Sequence, residues 1–119
     1  MEKAKTNTST KSAKLYDSEL KVMEVIWENE IISARKISDI LAEKVGWNKN
    51  TTYTVIKRCI VKGLIVRNEP GFMCGALITK DDTRDYEIDE LADKLFDGSF
   101  SFMMQKVIER GEFRGESIK

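Results

Sequence analysis

A mostly α-helical fold with one small β-hairpin, followed by a second helical segment, is predicted by three features of this chain. Apolar residues recur at helical spacing in five separate stretches. A Glu69-Pro70-Gly71 turn sits between two runs of strand-forming residues. Charge divides the chain: residues 1–80 hold 14 Lys plus Arg against 9 Asp plus Glu, and residues 81–119 hold 6 against 11. A net charge of zero over 119 residues therefore hides a basic part and an acidic part with different tasks.

Taken in order, residues 1–14 are Lys, Thr, Ser and Asn with almost nothing to bury, which predicts a disordered basic tail. Its lysines make it either a DNA-touching arm or a loose terminus. Asp17 or Ser18 can cap a first helix with Leu20, Met23, Ile26 and Trp27 inward, ending near Glu28 or Asn29. Ile31-Ile32 is a short β-like step. Ser33 can cap a second helix, with Ile37, Ile40, Leu41 and Val45 inward and Gly46 as its stop. Asn48 caps a third helix that Gly63 ends. Leu64 to Arg67 and Phe72 to Thr79 are the two arms of the hairpin. Beyond Lys80, Asp81, Asp82 and Thr83 can cap a helix with Ile88, Leu91, Ala92, Leu95 and Phe96 on its stripe. Gly98-Ser99 interrupts it, and Phe100, Met103, Met104, Val107 and Ile108 form the last stripe.

The third helix carries the chemistry. From Glu43 to Glu69 no acidic residue intervenes, whereas Lys44, Lys49, Lys57, Arg58, Lys62 and Arg67 all fall there. Val55, Ile56, Cys59 and Ile60, extended by Thr52, make one apolar side of this helix. Lys49, Asn50, Tyr53, Thr54, Lys57 and Arg58 make the other. Cations can meet phosphates, and amides and hydroxyls can hydrogen-bond base edges, so this face suits a DNA groove; a solvated surface helix is the alternative. Arg58 has a second reading, an ion pair with a carboxylate of the first or second helix such as Glu24 or Glu43. Helix, short strand, helix, helix, hairpin is the order of a winged helix-turn-helix, with residues 15–80 as the DNA-binding domain and the hairpin as its wing. Arg67 is the wing's one cation, set against Glu69.

Residues 81–119 are too few to bury two one-sided helices alone. They either pack back on the first domain or pair with a second copy, and the second arrangement makes them a helical dimerisation segment carrying Leu91, Leu95, Phe100, Met103, Met104, Val107 and Ile108.

Other classes find little support. The chain has no histidine, which removes the commonest general base and metal ligand, and it shows no nucleophile–base spacing and no phosphate-cradling glycine loop. No catalytic residue, metal or cofactor is expected. Cys59 lies on the apolar stripe and is expected to be buried; Cys74 falls in a strand, with a redox handle as its minor alternative. No apolar run reaches membrane-span length, and the start lacks a signal peptide's core, so a cytoplasmic, reduced setting is expected.

With the helices placed, the chain resembles the penicillinase-repressor family over about residues 15–110. The marks are Glu19-Leu-Lys-Val-Met-Glu-Val-Ile-Trp27; Trp47 and Asn48-Lys-Asn-Thr51; Arg58 and Lys62-Gly63-Leu-Ile65; and Gly98-Ser-Phe100. The resemblance implies a dimeric winged-helix repressor, released when a membrane sensor with a metalloprotease domain detects a β-lactam and the repressor is cleaved. Asn48 stands at a Ser or Thr position of the family, and Thr51 and Thr54 match its threonines. Asn50 and Tyr53 stand where these repressors tend to have Lys and Arg, so the family's operator does not carry over to this chain on the resemblance, because different donors read different base edges. Pro70-Gly71-Phe72 replaces a more basic, aromatic wing. Lys106-Val107 occupies the position of the family's Asn-Phe cleavage bond, and the end is about one helix shorter than its dimerisation domain. The cysteine cluster of the copper-responsive branch is absent, which argues against copper sensing.

The combined expectation is a sequence-specific repressor that binds a palindromic operator on double-stranded DNA as a homodimer, with β-lactam-resistance-type genes as targets. Lys49, Asn50, Thr51, Tyr53 and Thr54 would meet bases or adjacent phosphates. Lys57, Arg58, Lys62 and Arg67 would hold the backbone. The rival is a protein-interaction winged helix whose acidic helices dock a partner and whose DNA binding is incidental.

Overall fold

Tyr16, rather than Asp17 or Ser18, caps the first helix: it is extended, and its N–H donates to the Glu19 carboxylate at 2.9 Å. In the computed structural model, which describes residues 14–111, this helix is α1 (Asp17–Asn29). It is followed by β1 (Ile31–Ser33), α2 (Ala34–Val45), α3 (Lys49–Val61), β2 (Ile65–Asn68), β3 (Met73–Ala76), α4 (Lys80–Leu95) and α5 (Phe100–Glu109). The tail expected before Lys14 and the stretch from Glu112 lie outside the described residues. Among the described residues, no helix is long and apolar enough to cross a membrane.

The remaining boundaries follow from caps. The Ser33 hydroxyl accepts from the Lys36 N–H at 3.1 Å, and the Asn48 side chain from the Thr51 N–H at 2.8 Å. Gly46 and Gly63 end α2 and α3 at φ of 76° and 80°, a left-handed turn that glycine takes without a Cβ clash. The α4 cap is Thr79, not the expected Asp81 to Thr83. The Thr79 hydroxyl accepts from the Asp82 N–H at 2.9 Å, and the Asp82 carboxylate accepts from the Thr79 N–H at 3.2 Å. A reciprocal pair of this kind satisfies two orphan donors where a lone aspartate would satisfy one.

The Ile31-Ile32 step becomes a true strand. It pairs with β3 (Ile32 opposite Cys74), and β2 pairs on the other side of β3, giving an antiparallel sheet in the order β1-β3-β2. β3 is shorter than expected, but the chain beyond it stays anchored: the Leu77 N–H donates to the Leu64 carbonyl at 2.9 Å, and the Trp27 indole N–H donates to the Ile78 carbonyl at 2.9 Å. Val22, Met23 and Ile26 of α1, Ile37 and Leu41 of α2, Val55, Ile56 and Cys59 of α3, and Leu64, Ile65 and Cys74 of the hairpin close one core. Each large aliphatic among them contributes roughly 1.5–3 kcal/mol on full burial. Val45, expected inward, is exposed one turn beyond Leu41, where the core ends.

From Arg84 the chain forms a second compact unit. Within it Gly98 turns at φ 76° with its N–H on the Ala92 carbonyl at 2.9 Å, and the Ser99 hydroxyl caps α5 by accepting from the Phe102 N–H at 3.0 Å. The Phe96 and Phe102 rings meet edge to face at 5.2 Å.

The buried Thr52 hydroxyl has no hydrogen-bond partner among the described residues. Burying it costs free energy that a methyl group would not. Thr52→Val should raise unfolding stability by about 1 kcal/mol in a denaturant titration, with helix content unchanged.

Candidate nucleic-acid interface

Successive residues of α3 turn through about 100°, and burial of Thr52, Val55, Ile56 and Cys59 fixes which side faces inward. The centre of the opposite side is then Asn50, Thr54, Lys57 and Val61, all exposed, with Lys49 and Thr51 exposed beside them. An amide, hydroxyls and lysines thus project from the helix together, as the sequence pattern predicts. Val61, 85% exposed at the far end of the same stripe, was not among the expected contacts. Its spacing from Asn50, Thr54 and Lys57 would have revealed it, but an apolar residue draws no notice in a search for polar contacts.

Tyr53, expected to face outward, is half-buried and leans toward the wing. Its ring meets that of Phe72 edge-on at 5.8 Å. Phe72 also lies under the Arg67 guanidinium, 3.6 Å from the ring centre. The Glu69 carboxylate pairs with Arg67 Nε and accepts from the Phe72 N–H at 3.1 Å. Hydrogen bonding from Arg67, then from the Phe72 N–H, holds the Glu69 carboxyl below its ordinary value.

Arg58 and Lys62 are turned away from the outward stripe, toward the start of α1. Arg58 Nε donates to Glu19 Oε2 at 2.8 Å, and its terminal nitrogen donates to the Ser18 hydroxyl at 2.8 Å. Lys62 Nζ donates to Glu19 Oε1 at 2.8 Å and to the Lys14 carbonyl at 2.7 Å, and it lies 5.0 Å from the centre of the Tyr16 ring. The ion pair expected between Arg58 and a carboxylate of the first or second helix exists: the partner is Glu19 of α1, while Glu24 pairs with Lys80 at 3.1 Å. Glu19 was missed because a glutamate in a helix's first turn reads as a cap and dipole complement. It is that and more: its side chain is fully buried. Burial works to raise its pKa, but hydrogen bonds from Lys62, the Tyr16 N–H and Arg58 prevail and hold it below the ordinary value.

Both thiols are buried. Burial, with the Glu19 charge adding to it, pushes Cys59 up to about 12, and burial pushes Cys74 up to about 11. The redox alternative for Cys74 finds no support in this setting: a thiol that stays protonated and covered at neutral pH is a poor nucleophile.

The chain matches the penicillinase repressor family over residues 15–119. It belongs to that family. It is 23% identical over 111 residues to the methicillin resistance regulatory protein MecI of Staphylococcus aureus strain N315, covering 92% of this chain and 90% of that protein. The MecI proteins of Staphylococcus epidermidis and Mammaliicoccus sciuri show the same identity and coverage. The solution structure of the DNA-binding domain of the repressor BlaI superposes with a TM-score of 0.56 at 30% identity, over 60% of this chain and 90% of that one. The fold is therefore the winged helix of a repressor's DNA-binding domain, and the family is one of transcriptional repressors rather than enzymes.

Glu19→Gln should keep the shape of the cluster but leave two cations facing a neutral amide. Breaking a buried pair is costly, but Arg58 is 45% exposed and water recovers part of the loss, so about 2–4 kcal/mol is expected. Because the folded pKa of Glu19 is depressed, its contribution is present above the ordinary 4.5 and disappears as pH falls through the lower folded value. Urea denaturation between pH 3 and 7 should show the wild type losing this stability on the acid side. The Glu19→Gln curve should be flatter there.

Proposed function

We propose that this protein is a sequence-specific repressor that binds a palindromic operator as a homodimer and blocks a promoter by occupying it. The observation that carries the reading is the outward side of α3, where Asn50, Thr54 and Lys57 are exposed together with no carboxylate among them. An amide can form two hydrogen bonds with adenine in the major groove, and a threonine can meet either a base edge or a thymine methyl. Lys57 and Lys49 supply phosphate contacts. Genes of the resistance type are the proposed targets, a reading supported by the relatives named as methicillin resistance regulators.

Binding selection from random duplexes should return a palindromic motif. On that motif, Asn50→Ala should cost about 1–3 kcal/mol while leaving non-specific binding unchanged. Lys57→Ala should lower the slope of log K against log salt by roughly one. Lys62→Ala should leave the slope unchanged but lower stability, since its charge is already spent on Glu19. A flat selection with sequence-indifferent binding would favour a protein-interaction module instead.

The homodimer reading is supported by the second unit, which exposes Leu91, Leu95, Phe100 and Ile108, with Leu95 at 63% and Ile108 at 56%. Met104 and Val107 are half-buried, and Met103 is 7% exposed within the single chain, so it has little surface left to offer a partner. A large aliphatic side chain that leaves water on association contributes roughly 1.5–3 kcal/mol. Ile108→Asp should therefore shift the chain to monomer in analytical ultracentrifugation while the winged helix stays folded. Operator affinity should drop with it, because two linked half-site readers gain from joint binding. A monomeric variant that still binds with wild-type affinity would sink the dimeric reading.

A further inference from the structure

Phe72 is held in a backbone conformation that a phenylalanine rarely adopts. Its φ is +50°, in the left-handed region, and it follows Gly71 at +93°. A bulky side chain there is strained, and such strain persists only where the surroundings fix it. The surroundings are explicit. The Phe72 carbonyl accepts from the Ala34 N–H at 2.9 Å, which ties the wing to the start of α2, and the Phe72 N–H is bound by Glu69. The result is a ring set between two elements of the interface, with the Tyr53 ring of α3 at its edge and the Arg67 guanidinium of β2 against its face.

Arg67 is correspondingly fixed on two sides. Phe72 covers the flat face and Glu69 takes Nε, so the terminal amino groups are the edge left for an anion. A guanidinium held in this way loses less freedom on meeting a phosphate than a loose one would. Because the Phe72 ring also touches Tyr53, the wing cation is set in register with α3. Asn50 and Thr54 lie three residues before and one after Tyr53 in the chain.

We propose that Phe72 is a positioning residue for DNA binding: it stacks Arg67 into a phosphate clamp and, through Tyr53, holds that clamp in register with the base-reading side of α3. The inference rests on the reading of α3 as the DNA-contacting helix and extends it to the wing. Glu69 acts as the buttress of the clamp, so its negative charge serves the guanidinium rather than repelling the backbone. Arg67 and Glu69 are both substantially exposed, and such a pair is weak by itself. The ring is what makes the arrangement persist.

The test uses the full-length chain on its selected duplex, with affinity measured across a salt series for Arg67→Ala, Phe72→Leu, Phe72→Tyr and the Arg67→Ala/Phe72→Leu double variant. Arg67→Ala should lower the salt slope by roughly one. Phe72→Leu keeps an apolar side chain but no ring face, and should lose roughly two- to fivefold in affinity, with the slope falling toward that of Arg67→Ala. Phe72→Tyr should restore both. The double variant should be no weaker than Arg67→Ala alone, since the two side chains act as one unit. Where Phe72→Leu unfolds, Arg67→Lys takes its place: it keeps the charge, loses the planar stack and should show the same partial loss. A purely structural Phe72 would instead lower the melting temperature and leave the salt slope at its wild-type value, which overturns the clamp. Sequence-specific binding that Asn50→Ala weakens but whose slope ignores Arg67 overturns the clamp alone. A wild type with no duplex preference overturns the DNA reading and the clamp together.

Discussion

The buried Glu19 carboxylate is the constraint on which the orientation of α3 depends. A carboxylate taken out of water is tolerated only when its lone pairs are filled, and here Arg58, Lys62 and the Tyr16 N–H fill them at 2.8–2.9 Å. Two of these three donors come from the last turns of α3 or just beyond it, so the cluster pins that end of the helix to the start of α1. Hydrophobic packing by Val55, Ile56 and Cys59 decides that α3 is held, but such packing has little directional preference. The ion cluster adds direction: rotation of α3 about its axis would pull Arg58 and Lys62 from a fully buried anion. The side presenting Asn50, Thr54 and Lys57 is thereby set within the single chain.

This arrangement changes what the basic window means. From the sequence, Lys49, Lys57, Arg58, Lys62 and Arg67 form one undivided electrostatic footprint. In the folded chain they serve three purposes: Arg58 and Lys62 neutralise Glu19, Arg67 lies on Phe72 beside Glu69, and Lys49 and Lys57 face outward. The absence of acidic residues from 44 to 68 was informative about a surface, yet it could not say which cations had partners. The partners lie outside the window, Glu19 39 and 43 residues before Arg58 and Lys62 and Glu69 just beyond its edge.

What was legible in the sequence was local, and what was not legible was long-range. Ser33, Asn48 and Ser99 cap the helices they precede because capping is decided within three residues. The apolar stripe of α3 and the Ile31-Ile32 strand follow from periodicity and β-branching for the same reason. Thr79 does not stand out as a cap in the sequence because two aspartates, better capping residues, follow it, and reciprocity with Asp82 is what selects it. Helical spacing alone places Tyr53 outward. Its lean toward the wing needs Phe72, nineteen positions later, in a backbone conformation that nothing about a phenylalanine announces. Met103 and Ile108 share a stripe in sequence, yet one is buried and the other exposed, because a helical stripe says which residues can be covered and not by what.

The same distinction bears on how a repressor with this face would achieve selectivity. Counterion release gives affinity without sequence preference, and each phosphate neutralised contributes about 0.9 to the salt slope. With Arg58 and Lys62 committed to Glu19, those two cations of the basic window add little to that source. Asn50 stands where the family resemblance implies lysine, and an amide exchanges a long-range attraction for a short-range, directional pair of hydrogen bonds. Both features move the balance from general attraction to base reading. A weak but selective reader gains most from being linked to a second, because the second half-site is then met at high effective concentration. In the proposed homodimer, the exposed Leu95 and Ile108 of the second unit would supply such a link, because apolar side chains left in water by one chain are stabilised when another covers them.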